Sequence, residues 1–302
     1  MAIVVREENF ENFGKCLYIA NEKQEMRVTL DVGPRIISYN LIGKKNMMFL
    51  DLERASARDN EEFKAFYGKD KSWYIYGGHR FWVSPESYPV TYYPDNDPVE
   101  YTVSGNVFTF TPPVQIVTGW HQVIEITFDE TDAKADVRHI LTNTTSEEKT
   151  GSIWALSVTA AGGRVFQMMA QEDTGLVSNR NLILWPYNKM TDKRFYMDDK
   201  YLALRQDSNA EKPFKIGTNN TSGSILCLNN GTVFKKEFKY LHGESYPDYG
   251  CSTEVFTNNL MLEMETLSPL YKIEGGNSVE HLEKWSLTAV ESEKLEDIVK
   301  YL

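Results

Sequence analysis

The sequence is poor in cysteine and contains no long apolar run. Its three cysteines, Cys16, Cys227 and Cys251, are widely separated in 302 residues. An odd, scattered set of this kind is atypical of disulfide frameworks and zinc sites, and it favours a reducing compartment. No segment approaches the roughly 20 apolar residues that a membrane-spanning helix needs. The start of the chain becomes charged too early, at Arg6, for a signal peptide. We therefore expect a cytoplasmic protein without a membrane partner, unless a signal peptide has been removed.

Basic clusters are also lacking. The chain has 32 Lys and Arg against 43 Asp and Glu, which gives a formal net charge of −11. Nucleic-acid binding depends on clustered Lys and Arg that contact phosphates, so we expect no nucleic-acid partner. The negative charge also argues against polyanionic substrates. No histidine stands at ligand spacing from paired carboxylates, and we expect neither a metal nor a cofactor.

Alternation of apolar and polar residues is abundant. Met26, Val28 and Leu30 alternate with polar residues, and the same pattern recurs over 124–128 and 137–141. A period of two residues is typical of strands with one buried face. Turn signals recur every dozen residues or so, which favours a β-sandwich or barrel over alternating strands and helices.

The clearest helical pattern occurs at the end of the chain, and a second possible helix covers residues 60–67. The positions i, i+3, i+4 and i+7 are apolar in the last eight residues, at Leu295, Ile298, Val299 and Leu302. This spacing predicts a short C-terminal helix. Because no repeat and no Pro/Gly/Ser linker interrupts the sequence, we expect a single domain over residues 1–302.

The segment 76–86 is dense in polar and aromatic side chains. Its two adjacent glycines allow a tight turn or a close approach to a ligand. His79 can exchange a proton near neutral pH, and Arg80 can bind two hydroxyls or a carboxylate. Trp82 offers a flat face and Glu86 a carboxylate. The alternative interpretation is a hairpin with a structural histidine.

Two further segments combine aromatic residues with turn formers. The segment 184–187 has the sequence Leu-Trp-Pro-Tyr, which is also typical of an aromatic-rich strand end. The segment 246–254 holds Asp248 between Pro and Gly and ends on Glu254. Asp is common in turns for backbone reasons alone, so an ordinary turn is the alternative there.

Two glutamates share one face of a predicted late strand. Glu263 and Glu265 are two residues apart within 260–267, so both side chains point the same way, with attachment points roughly 7 Å apart. Two neighbouring like charges raise the pKa of at least one of them, which suits a general acid or base. A solvated charged face is the alternative.

Four segments together carry a family resemblance, namely 31–36 (DVGPRI), 77–82 (GGHRFW), 141–145 (LTNTT) and 262–266 (LEMET). In order and spacing the chain resembles the galactose mutarotase-like superfamily, which includes aldose 1-epimerases and hexose-6-phosphate mutarotases. Within it the chain looks closest to an uncharacterised bacterial family with similar GGHRxWxxPE, WPY, YPDxG and ExETLxP segments. The resemblance implies a large antiparallel β-sandwich, or supersandwich, whose concave face holds a sugar.

The resemblance also implies roles for individual residues. In mutarotases a glutamate takes the proton of the anomeric hydroxyl while a histidine protonates the ring oxygen. The family glutamate matches Glu265, and His79 and Arg80 are the nearest matches to an early His and Arg that contact the sugar. In the family, the strand after the segment that matches 141–145 carries the histidine that acts as the acid. Here that strand has no histidine, and Trp154 lies near the expected position. His79 is therefore expected to be the acid and Glu265 the base.

The expected function is that of an aldose 1-epimerase-like enzyme that needs only a carbohydrate ligand. The alternatives are a non-catalytic carbohydrate-binding protein and, with paired carboxylates across a glycosidic bond, an oligosaccharide lyase or hydrolase. We expect His79, Arg80, Asp248 and Glu265 to line one cleft, with His139 as the second choice of acid. The residues expected to bind the sugar are Arg80, Trp82, Glu86, Trp154, Asp248, Glu254 and Glu263.

Overall fold

The computed structural model describes residues 3–302 and consists mainly of antiparallel strands. Strands make up 46% of the structure and helices 6%. The mainly-β class predicted from the two-residue alternation is therefore confirmed. None of the helices within residues 3–302 has the length and apolar character needed to cross a bilayer.

The strands and helices follow one another along the chain as named here. In chain order they are β1 (Val4–Asn9), β2 (Lys15–Ala20), β3 (Gln24–Thr29), β4 (Ile36–Leu41), β5 (Ala57–Arg58), α1 (Glu61–Tyr67), β6 (Trp73–Tyr74), β7 (Gly78–Ser84), β8 (Glu100–Ser104), β9 (Val107–Thr111), β10 (Trp120–Phe128), β11 (Lys134–Asn143), β12 (Lys149–Thr159), β13 (Arg164–Met168), β14 (Leu182–Leu184), β15 (Phe195–Met197), β16 (Tyr201–Arg205), β17 (Phe214–Thr218), β18 (Ser224–Asn229), β19 (Thr232–Phe238), α2 (Pro247–Gly250), β20 (Thr253–Thr257), β21 (Leu262–Leu267), β22 (Tyr271–Ile273), β23 (Ser278–Ala289) and α3 (Leu295–Ile298).

Two large sheets form the sandwich. The first sheet has the order β1-β2-β3-β4-β7-β12-β21-β20-β17-β14, and β22 pairs with β12. The second has the order β15-β16-β13-β18-β19-β23-β11-β10-β9-β8, and β5 and β6 form a separate two-stranded sheet. This architecture confirms the predicted large antiparallel β-sandwich.

The main hydrophobic core lies between the two sheets, and alternation along each strand decides what enters it. On β21, Leu262 and Met264 pack into this core. Glu263 and Glu265, between and beyond them, lie on the opposite face of the first sheet, where Trp154 of β12 also packs. The outer face of the first sheet is therefore free to carry polar groups that the core could not accommodate.

The predicted C-terminal helix is confirmed, although it is short. It consists of α3 and a 3₁₀ turn over Val299–Tyr301. Ile298 is fully buried against Phe166, Ala203 and Leu226, which face outward from the second sheet. The helix therefore covers part of the outer face of that sheet.

A charged pair is buried in the middle of the core. The Nζ atom of Lys236 lies 2.9 Å from Oε1 of Glu283, and both side chains have no exposed surface. Thr266 and Trp285 donate hydrogen bonds to the same carboxylate. Lys236 also donates a hydrogen bond of 3.3 Å to the main-chain carbonyl of Met264. The buried pair therefore contacts β21 from the core side of the first sheet.

We expect Lys236→Met to lower the free energy of unfolding by about 3–5 kcal/mol, because the change leaves the Glu283 carboxylate buried without its cation. Lys235→Met is the matched control. Lys235 pairs with the exposed Glu237, and a surface ion pair contributes less than about 1 kcal/mol. Urea denaturation followed by tryptophan fluorescence measures both variants. Equal destabilisation by the two changes would contradict this interpretation of the core.

Candidate functional site

A cleft of about 480 Å³ opens on the outer face of the first sheet. Its floor comes from five strands that are consecutive in that sheet, β7, β12, β21, β20 and β17. Aromatic side chains form much of its wall, namely Trp73, Trp82, Tyr92, Trp154, Trp185 and Tyr187. Aromatic and aliphatic side chains together outnumber the polar ones in the lining, a composition that is usual for a small-molecule site.

Arg80 brings unpaired hydrogen-bond donors to this cleft. Its guanidinium carbon lies 4.2 Å from the ring centre of Trp82 and 5.6 Å from that of Trp73. One terminal nitrogen lies 3.9 Å from Glu263, while Nε and Nη1 are buried and make no hydrogen bond. The indole nitrogen of Trp73 is also buried and unpaired. Because buried donors without acceptors are costly, these groups favour acceptor oxygens, from water or from a ligand, as partners.

Glu263 is a carboxyl group that lines the cleft, with 8% of its surface exposed. Burial and the neighbouring charge of Glu265 raise its pKa to about 7, although Arg80 and Lys215 act in the opposite direction. A carboxyl group with a pKa near neutrality can both take and give a proton under physiological conditions.

Glu265 lies behind the surface of the cleft and has no exposed surface. Its Oε2 atom accepts a hydrogen bond of 2.6 Å from the indole nitrogen of Trp154 and lies 3.2 Å from Nζ of Lys215. Glu254 stands directly opposite Glu265 on the neighbouring strand, and its Oε2 lies 2.7 Å from the same Nζ. A single ammonium group therefore serves two buried carboxylates.

The charges of this trio shift its pKa values. Burial lowers the pKa of Lys215, but Glu254 and Glu265 outweigh burial and raise it well above its usual range. Burial raises the pKa of Glu254 well above its usual range, and Lys215 only partly opposes this effect. Lys215 is therefore held in its charged form, while the shift of Glu254 favours its protonated form.

Comparisons with solved structures give many matches, and the three described here are 8–11% identical to this chain. A candidate mutarotase from Salmonella typhimurium is 8% identical over 95% of this chain and 94% of its own, with a TM-score of 0.57. A candidate aldose 1-epimerase from Klebsiella pneumoniae is 11% identical over 95% and 83%, with a TM-score of 0.55. A galactose mutarotase-like protein from Clostridium acetobutylicum is 10% identical over 96% and 99%, with a TM-score of 0.52. No protein-family model and no curated protein matches the sequence.

The chain has the galactose mutarotase-like fold. The resemblance expected from the order of the four sequence segments is confirmed at this level. Because fold likeness does not transfer chemistry, the roles of individual residues have to be argued from the cleft itself.

His79 does not line the cleft of this galactose mutarotase-like sandwich. It is adjacent to Arg80 on β7, and adjacent residues of a strand point to opposite faces. Arg80 therefore faces the cleft, while His79 faces the second sheet, fully buried, with its Nε2 atom 2.7 Å from Nε2 of His139. The expectation that His79 shares a cleft with Arg80 and Glu265 is wrong.

The hydrogen bonds around His79 define where its proton lies. Nδ1 of His139 faces the carbonyl of His281 at 2.9 Å and must donate to it, so Nε2 of His139 is an acceptor. His79 donates from Nε2 to that acceptor, and its Nδ1 accepts a hydrogen bond of 2.8 Å from the hydroxyl of Ser157. Burial lowers the pKa of both histidines, in agreement with two neutral rings. The proton of His79 therefore points away from the cleft, and His139, the second choice of acid, lies in the same interior network.

Within residues 3–302, one group of side chains is close enough to hold a metal ion. It consists of His79, His139 and Glu283, whose ligand atoms lie within 4.8 Å of one another. These atoms already have partners, since His79 donates to His139 and Lys236 contacts Glu283 at 2.9 Å. A metal ion would stand beside a buried ammonium group, so the arrangement does not fit one.

The remaining residues predicted from the sequence separate into three groups. The residues that line the cleft are Arg80, Trp82, Glu86, Trp154 and Glu263. Glu254 and Glu265 are buried behind the cleft and reach it through Lys215. Asp248 lies in α2 with a backbone φ of 49° and does not line the cleft. Its presence in a turn is explained by the backbone alone, which was the alternative interpretation.

Lys215 lines the cleft but was missed by sequence reasoning. It lies on β17 between the core residues Phe214 and Ile216, so it faces the cleft like any polar residue of an alternating strand. Nothing in that pattern distinguishes it from a solvated lysine. Trp185 and Tyr187 belong to the segment 184–187, which was recognised as unusual without a role.

The raised pKa of Glu263 predicts a pH-dependent gain from Glu263→Gln. Glu263 ionises at about pH 7 in the folded protein and near 4.5 when unfolded, so its ionisation opposes folding as the pH rises through this range. Glutamine stays neutral and avoids this cost. We expect the variant to match the wild type near pH 4.5 and to exceed its free energy of unfolding by up to about 3 kcal/mol at pH 8.

Urea denaturation at pH 4.5, 6 and 8 measures this difference. Glu86→Gln is the control, because Glu86 lines the same cleft but is exposed and bonded only to Tyr92. A Glu263→Gln variant that is less stable than the wild type at pH 8 would contradict the assigned direction.

Proposed function

We propose that the protein binds a saccharide in this cleft and exchanges protons at its anomeric centre, as an aldose 1-epimerase-like enzyme. One observation carries the proposal: Glu263, with a pKa of about 7, lies beside the unpaired donors of Arg80 in an aromatic cleft. The mutarotase and epimerase names of proteins with the same fold support this class of reaction.

The cleft supplies both kinds of contact that a sugar needs. The apolar face of a pyranose ring packs on indole rings such as those of Trp82 and Trp154, whose centres lie 5.5 Å apart. The ring hydroxyls accept hydrogen bonds from Nε and Nη1 of Arg80 and from the indole nitrogen of Trp73. Each of these bonds satisfies a donor that is otherwise buried and unpaired.

The chemistry requires two proton movements. The carboxylate of Glu263 takes the proton of the anomeric hydroxyl, and the bond between C1 and the ring oxygen breaks as that oxygen gains a proton. The product is the open-chain aldehyde, which rotates about C1–C2 and closes by the reverse steps. Within residues 3–302 no histidine lines the cleft, so water at its open rim supplies the proton for the ring oxygen.

Glu265 acts on this reaction through its charge. It is covered by Trp154 and Lys215, and it helps to raise the pKa of Glu263. Glu265 is therefore a positioning residue in this proposal. Its assignment as the base, taken from the family resemblance, stays a competing prediction.

A non-catalytic carbohydrate-binding protein is the second candidate function. The observation in its favour is that no histidine among residues 3–302 lines the cleft and that Glu265 is covered. With no positioned acid, only half of the proton exchange is assisted by the protein.

We expect Glu263→Gln to slow sugar epimerisation by about 10²-fold or more, because it removes the base. The affinity for the sugar should change only a few-fold, since Arg80 and the indole rings remain. Polarimetry of freshly dissolved α-glucose and α-galactose measures the rate, and calorimetry measures binding.

Three further variants distinguish the assignments. Glu86→Gln and His79→Gln should keep most of the activity, provided that circular dichroism shows a folded protein. Loss of activity in Glu265→Gln but not in Glu263→Gln would favour the base assigned from the family resemblance. A wild-type protein that binds sugars saturably without accelerating epimerisation would favour the binding function. A protein that binds no neutral, acidic or phosphorylated sugar would overturn both.

A further inference from the structure

Two grooves in which basic side chains outnumber acidic ones continue from the cleft. The first is lined by five Lys and Arg residues and also by Asp192, Asp207 and Glu211, whereas the second is lined by Lys and Arg without a carboxylate from residues 3–302. The first, of about 470 Å³, shares Tyr187 and Pro213 with the cleft. The second, of about 220 Å³, shares Lys193, Arg194 and Arg205 with the first. Together they form a basic track that leads from the cleft to the outer face of the second sheet, where Leu295 of α3 borders it.

The far end of the basic track places two arginines side by side. Arg164 on β13 and Arg205 on β16 are direct partners across antiparallel strands, and both line the second groove. Like charges in this position destabilise a sheet. Lys193 and Arg194 line the same groove, and no carboxylate within residues 3–302 does. Carboxylates outside this groove compensate two of the arginines, since Asp207 lies 3.4 Å from Arg205 and Asp192 lies 2.7 Å from Arg194.

Arg194 provides a second, independent indication of a ligand. Arg194 is 7% exposed. Its Nε and its terminal Nη2 both donate hydrogen bonds to the carboxylate of Asp192, and Nη2 lies 2.7 Å from Oδ2. The same terminal nitrogen donates to the carbonyl of Lys212 at 2.8 Å. Its other terminal nitrogen, Nη1, is buried and makes no hydrogen bond. The guanidinium group is therefore fixed in place with one donor left for a partner.

We propose that the ligand of this protein is an acidic oligosaccharide. One sugar residue occupies the cleft, the chain passes Tyr187 and Pro213, and an anionic substituent further along binds Arg164, Arg194 and Arg205. The substituent is a uronic acid carboxylate or a sulfate or phosphate ester, since arginine binds each of these through paired N–H donors. This inference rests on the proposed function, because it takes the cleft to be the sugar site.

The local charge opposes the charge of the whole chain. With a net charge of −11 the sequence argues against polyanionic ligands. The cations of the track come from residues 164, 193, 194 and 205, which form no basic run and meet only in the folded protein. An anion is repelled by the net charge of the chain but attracted by these cations, and this contrast favours a defined binding position.

Calorimetry with chain-length-matched sugars tests the proposal. The probes are tetragalacturonic acid, its neutral methyl ester, galacturonic acid and a sulfated galactose tetrasaccharide. We expect one of the two acidic tetrasaccharides to bind at least tenfold more tightly than the neutral ester and the monosaccharide, with an advantage that shrinks as salt is added. The tighter of the two identifies the carboxylate or the ester as the anionic group.

Arg205→Gln should weaken binding of that tetrasaccharide roughly tenfold and leave monosaccharide binding unchanged. Arg138→Gln is the matched control, because Arg138 lies on the same sheet outside the track and its side chain is 43% exposed, against 41% for Arg205. Arg138→Gln should have no effect. Arg164→Gln should weaken binding to a similar extent. Agreement between the two variants would rule out misfolding of a single variant as the cause of the loss.

The outcomes separate this proposal from the proposed function. Equal affinity for tetragalacturonic acid, the sulfated tetrasaccharide and the neutral ester, with no effect of Arg205→Gln, overturns the acidic ligand and leaves the sugar cleft standing. If Arg205→Gln weakens tetrasaccharide binding but Trp82→Ala does not, the proposed path is overturned, because the ligand does not run continuously from the cleft to the arginines. Binding that depends on both residues, without epimerisation of any sugar, supports the path and contradicts the catalytic function. Failure of every probe to bind overturns both.

Discussion

Successive side chains of a strand point to opposite faces, and every feature of the cleft depends on this constraint in the first sheet. One face of that sheet contacts the second sheet, and the other carries the cleft. On β7 the constraint separates His79 from Arg80, and on β21 it separates Met264 from Glu263 and Glu265. The same strands can therefore hold an apolar core and a polar site at once, without either disturbing the other.

The electrostatics of the site follow from an unequal number of charges in a buried place. Glu254, Glu263 and Glu265 are matched by only two cations, Lys215 and Arg80. Burial makes each charge costly, and it is the largest cause of the raised pKa of both Glu254 and Glu263. Glu263 lies 3.9 Å from its nearest cation, and it is the carboxyl with a pKa of about 7 that also lines the cleft. The raised pKa of Glu263 thus arises from its burial and from the neighbouring charge of Glu265.

The buried polar residues between the two sheets differ from those of the cleft, because they form hydrogen bonds and an ion pair with one another. His79 and His139 form a neutral chain between the sheets, and Lys236 with Glu283 contacts β21 from the core side of the first sheet. These groups satisfy one another, whereas Arg80 and Trp73 in the cleft have donors to spare. The interior network and the cleft therefore differ in how their buried polar groups are satisfied, although both contain residue types that are common in active sites.

The sequence by itself determined the local structure. The alternation over 124–128 became β10, and the spacing at the end of the chain became α3, because these patterns depend only on which face of an element is buried. It also placed Glu263 and Glu265 on one face. Only the tertiary structure decided which face of β7 meets the cleft, so His79 was assigned to the wrong side. Lys215, Arg164 and Arg205 acquire meaning only through partners on other strands, since register between strands distant in sequence is decided by packing.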